Sequence, residues 1–263
     1  MVSSLRGPTG ISLVLLGVGW CLSGCAQDYG FAPPSNSQLV TVQVRVHPDL
    51  VAEKLEVMYR SASCKRTRRD ARGEPYEVDG FHEIDVLPQK NGSTDIYEAR
   101  IFKDGGGECR WKLSNVTFGV AYKEPTPFGD GVRYGAGGGV VVMFDEHDSP
   151  HGGADIEASG NLLIKKDYYP WVSESYIGGY RKEVSLAGRG DIYAKYRTSD
   201  ADSVYFEPIL HTDMVVSSEQ PKVHKKGLFT IFKYPDGTVV ADGHSEPDIL
   251  RLEAIRLKSE NRQ

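Results

Sequence analysis

The sequence has no apolar run long enough to cross a bilayer: Ile11–Trp20 (ISLVLLGVGW) offers about ten residues where a spanning helix needs roughly 20. It has no basic surplus either. Its 31 lysines and arginines face 36 aspartates and glutamates, a formal net charge of −5, whereas a nucleic-acid partner calls for a basic surface. There is no Gly-x-Ser-x-Gly elbow for an α/β-hydrolase and no His-Glu-x-x-His pair to hold zinc from one helix face. A His-x-Lys-x-x-x-x-Asp pattern, the mark of phospholipase D-type enzymes, is missing too. The glycines Gly135–Gly139 precede a strand, whereas a phosphate loop follows a strand and opens a helix, so they read as a loop or bulge. These absences nominate no catalytic residue, cofactor or metal centre, and the chain reads as a non-enzyme.

What is present begins at the N-terminus. Arg6 is the only charge before Cys25, the apolar run follows it, and Leu22-Ser23-Gly24-Cys25 comes next. A positive start, a short apolar stretch and small residues before a cut define a secretory signal. The Leu-Ser-Gly-Cys ending resembles the lipobox of bacterial lipoproteins. That resemblance implies removal of residues 1–24 and acylation of Cys25, which would tether the chain to a membrane through lipid. The residue after the cysteine is Ala26 and not Asp, which in that family implies transfer to the outer membrane, facing the periplasm.

Residues 25–37, rich in Pro, Ser and Asn, read as a tether. Period two then dominates. Val40, Val42, Val44 and Val46 alternate with polar residues, as do Leu55, Val57 and Tyr59, and both runs predict half-buried strands. Asn91-Gly92 predicts a hairpin turn, because both residues tolerate positive φ. Val140–Phe144 predicts a fully buried strand, and further strands are expected near 156–164, 184–186, 192–197, 204–210 and 228–234. Residues 248–257 fit either period and lean to helix, with a start near Ser245. The expected fold is mainly β, antiparallel and sandwich-like with little helix. It is either one body or two β lobes (38–122 and 156–263) joined through 123–155. Of the four cysteines, Cys64 and Cys109 remain beyond the anchor, and an oxidising compartment favours a disulfide between them.

Three surface features are candidates for function. Asp145, Glu146, His147, Asp148 and His151 crowd one polar loop, 145–155, whose spacing matches neither an EF-hand nor a structural zinc site; it reads as a contact surface for a partner. Tyr168, Tyr169, Trp171, Tyr176 and Tyr180 lie close together and read either as core or as a binding surface of large rigid rings. The basic run Lys65–Arg69 reads as a solvated loop or as a contact for acidic lipid headgroups or an acidic partner. In overall plan (signal, size and a β-rich body with two cysteines), the chain resembles the immunity lipoproteins that neutralise phospholipase effectors of type VI secretion. The resemblance implies a lipase effector as protein partner and assigns no inhibitory residue. The alternative expectations are a structural or assembly lipoprotein of the envelope and, resting only on the acidic/His loop, an envelope hydrolase.

Overall fold

The computed structural model describes residues 29–152 and 156–262. The lipobox, Cys25 and Asp155 lie outside the described residues. Strand alternation becomes β1 (Leu39–Arg45), whose Val40, Val42 and Val44 are buried, followed by β2 (Leu50–Ala52), β3 (Leu55–Arg69) and β4 (Pro75–Val86). Next come β5 (Gln89–Lys90), β6 (Ile96–Phe102), β7 (Asp104–Gly106), β8 (Trp111–Tyr122) and β9 (Arg133–Tyr134). The continuous apolar run forms β10 (Gly138–Met143), buried along its whole length. The second half holds β11 (Ile156–Glu157), β12 (Leu162–Ser175), β13 (Arg181–Gly188), β14 (Tyr193–Arg197) and β15 (Ser203–Leu210). It closes with β16 (Val216–Glu219), β17 (Ile231–Lys233), β18 (Val239–Val240) and α1 (Ile249–Glu260).

These strands build two sheets packed face to face. One runs β18-β17-β16-β12-β15-β1-β6-β5, with β13 and β9 attached through β12; the other runs β11-β14-β10-β8-β3-β4, with β2 and β7 on β8. The fold is mainly β and sandwich-like, as expected, but the sheets are mixed. β1 and β12 each pair in parallel with β15, and β10 pairs in parallel with β14. Each sheet therefore draws strands from both sides of 123–155, so that segment divides the sequence and not the core. The main core joins Val42, Val57, Trp111 and Phe118 to Ile164, Tyr168 and Phe206. A second cluster, Tyr169, Val216, Phe232 and Tyr234, is sealed by Leu252 of α1. That helix starts at Asp248 and not near Ser245, because the Asp248 carboxylate accepts the Arg251 N–H at 3.1 Å. Among the described residues, no helix is long and apolar enough to cross a membrane.

Three local findings position the surface. The disulfide Cys64–Cys109 is present, with Cα atoms 5.3 Å apart. It joins an irregularity within β3 to the turn before β8. Opposite the irregularity a Cβ on Gly80 would lie 1.9 Å from the Cys64 carbonyl oxygen, so only glycine fits. Residues 29–37, expected as tether, are docked. Ala32 N–H donates to the Gly105 carbonyl at 3.0 Å, Trp111 Nε1 donates to the Tyr29 carbonyl at 3.1 Å, and Phe31 packs against Tyr59 and His82. Gly106, at φ 58°, allows this approach, since a Cβ there would lie 2.1 Å from the Ala32 carbonyl oxygen. Lastly, the basic run is not a loop: it is the outer end of β3, paired with β4 in an exposed two-stranded arm.

Candidate functional site

The acidic/His loop leaves β10 beside Arg197, which closes β14 opposite Met143. Arg197 donates to the Asp145 and His147 carbonyls, the latter at 2.9 Å, and so pins the loop's backbone. The Asp145 carboxylate accepts the His147 N–H at 3.0 Å and lies 2.8 Å from Nδ1 of the same ring. Nε2 of that imidazole faces Asp79 at 3.5 Å, so the ring sits between a carboxylate of its own loop and one from the distant strand β4. Asp145 and His147 are half-buried by these contacts, while Glu146 and Asp148 point to solvent. His151 leaves the group: at φ 67° it stacks on Tyr193, ring centroids 4.6 Å apart and planes 8° from parallel. The expected cluster thus divides into a pinned loop, 145–148, and a separate histidine. Among the described residues, metal-like spacing occurs elsewhere, at Glu56, Glu83 and Asp85, where Lys54 supplies the counter-charge at 2.7 Å from Asp85.

Tyr168, Tyr169 and Trp171 are on strand β12, whereas Tyr176 and Tyr180 lie in the turn that leads to β13. Tyr168 and Tyr169 lie on opposite faces of β12 and are buried, one in each core cluster. As candidate partner contacts both are corrected to core. Trp171 is half-buried and donates from Nε1 to Ser218 Oγ at 2.8 Å. Tyr176 donates to Glu174 at 3.2 Å and Glu219 at 3.3 Å; burial first, then these carboxylates, pushes its pKa up to about 12. Tyr180, the most exposed of the five, tilts over Tyr176 at 5.5 Å. These two stand at the far end of β12 from the pinned loop.

A cleft of about 400 Å³ brings His151, Tyr168 and Trp171 together with Lys166, Asp191 and Lys195. Lys166 Nζ donates to the Asp191 carbonyl at 2.6 Å, and burial lowers its pKa to about 8 against the opposing pull of Asp191. Lys195 is almost wholly buried and pairs with the Asp191 carboxylate at 2.9 Å. The buried Tyr168 hydroxyl finds no hydrogen-bond partner among the described residues. Ser185 also lines the cleft, and its hydroxyl accepts the Ala136 N–H at 3.0 Å. Chemically the cleft is a neutralised, part-aromatic recess. Lys166 and Arg197 escape sequence reasoning because their partners are 25 and about 50 positions away, although Lys166 and Tyr168, two apart on a strand, necessarily share a face. No protein-family model, curated protein or solved structure matches the chain.

Proposed function

We propose that this chain is an exported lipoprotein, anchored through Cys25 at the outer membrane, that binds and neutralises a phospholipase effector of type VI secretion delivered to the periplasm. One observation carries the binding half of this reading: loop 145–148 is preorganised. Arg197 fixes its backbone, Asp145 and Asp79 hold His147, and the exposed Glu146 and Asp148 carboxylates are presented on that frame. A loop already rigid in its binding conformation loses little entropy on association, and paired charges steer a cationic partner. The lipid anchor keeps that surface at the membrane where a lipid-degrading enzyme acts.

The test is to identify any phospholipase encoded beside this chain and to reconstitute the two; absence of such a neighbour counts against the reading. Mixing is expected to give a stable complex, at an interface of roughly 1,600 Å² or more, and to abolish lipid hydrolysis. Glu146→Lys combined with Asp148→Lys is expected to weaken the complex at least tenfold while leaving the unfolding midpoint unchanged. Full lipase activity in the presence of excess wild-type protein rules the reading out.

A further inference from the structure

The chain enters its fold beside the disulfide. Tyr29 is held by Trp111, and Phe31 packs 4.6 Å from Tyr59 and 4.5 Å from His82, so the first described residues lie against the roots of β3, β4 and β8. The two-stranded arm rises from the same place. Cys64 is bonded to Cys109, whose carbonyl accepts the Ser61 hydroxyl, and beyond this point β3 pairs only with β4. Tyr29 is four positions beyond Cys25, a reach of at most about 14 Å. The paired length of the arm, residues 66–69, is about 13 Å. A surface that holds Cys25 is therefore within reach of the arm.

The arm's two faces differ in chemistry. Register opposes Arg66 to Val78 and Arg68 to Tyr76, which puts both arginines and both partners on one face. Phe81 extends it, with the Arg66 guanidinium 4.1 Å and that of Arg68 5.7 Å from its ring centroid. Tyr76 is 46% exposed. Three nearby carboxylates are engaged elsewhere. Thr67 opposes Glu77 on the other face, where Lys65 lies 3.6 Å from Glu77, and Asp79 turns to His147. Asp70 caps the tip by accepting the Arg72 and Glu74 N–H groups. What remains between the arm's root and its Asp70/Glu74 tip is a strip of guanidinium groups with tyrosine and phenylalanine. Guanidinium matches phosphate geometry, and tyrosine favours the headgroup layer.

We propose that the Arg66/Arg68/Tyr76 face of the arm lies on the anionic phospholipid headgroups of the membrane to which Cys25 tethers the chain. This rests on the lipid-anchor reading. Two arginines bind an anionic surface weakly on their own, but the tether makes the contact intramolecular, where weak attraction suffices. The contact also sets the protein's orientation. The acidic loop, which meets the arm's root through Asp79, is then held near the bilayer but off its surface.

The test uses the mature, lipid-bearing protein on phosphatidylcholine vesicles with or without phosphatidylglycerol. Flotation reports the anchor, and modification by phenylglyoxal, located by mass spectrometry, reports the arginines. Phosphatidylglycerol is expected to slow modification of Arg66 and Arg68 roughly tenfold, reversed by high salt, while the remote and exposed Arg133 reacts equally on both vesicles. The double variant Arg66→Lys with Arg68→Lys, probed at the two introduced side chains by an amine-selective reagent, is expected to retain part of this protection. Flotation with both vesicles but equal reactivity of Arg66 and Arg68 overturns the arm contact and leaves the anchor standing. Failure to float with either vesicle overturns both.

Discussion

At Lys166, burial and a neighbouring carboxylate pull in opposite directions, and burial wins. Its pKa falls from 10.5 to about 8. Between those values the unfolded chain holds a proton that the folded protein has released, so stability rises with pH across the window. Below about pH 8 the cost of the buried ammonium is fully present. Lys166→Met keeps the stem's packing and removes the charge. It is expected to stabilise the protein at pH 7 by roughly 1–2 kcal/mol, less than the full shift implies because solvent screens a half-open site. Urea unfolding at a series of pH values should show that advantage shrinking from pH 8 to 10.5. A difference that stays constant across the window would mean that Lys166 is not charged at a cost in the folded state.

The arm illustrates how one covalent link organises an element. The disulfide joins cysteines 45 residues apart, bridging β3 and the turn before β8, and the chain-entropy account gives such a link about 4 kcal/mol. Cys64→Ser with Cys109→Ser is expected to lower unfolding stability by about 2–4 kcal/mol and to speed amide exchange in residues 64–79 first. A loss below about 1 kcal/mol would show that Phe31 and Trp111 hold the arm's root without it. The sequence discloses such elements unevenly. β1 and β10 are plain in it because Val40, Val42 and Val44 alternate and Val140–Met143 are continuously apolar. The outer end of β3 carries no buried residue beyond Cys64, so nothing in its hydrophobicity marks it as strand. β16 escapes notice because, of its four residues, only Val216 and Ser218 are buried. The polar segment at 145–148 is legible as a loop. Its rigidity is not, because Arg197 and Asp79 reach it from other strands.

Across the whole molecule, the interleaving of early and late strands couples the two sheets into one cooperative unit. The tryptophans of the fold report on both: Trp111 lies on β8 in one sheet and Trp171 on β12 in the other. In Trp111→Phe the fluorescence of the fold follows one sheet, and in Trp171→Phe the other. For each variant, the denaturation midpoint read from the remaining indole is expected to coincide with that read by circular dichroism. Separated transitions would mean that the sheets unfold as independent units.

The parallel pairing of β1 with β15 has a consequence for the order of assembly. Arg45 and Glu207, bonded at the end of this pair, are 162 positions apart. In a polymer delivered N-terminus first through a narrow opening, β1 emerges early and can find β6 soon afterwards, but its other edge stays bare until β15 arrives. Long-range closure of this kind is slow, and the wait exposes an apolar strand edge. The fold is therefore completed late, when one of its last strands seats itself against one of its first.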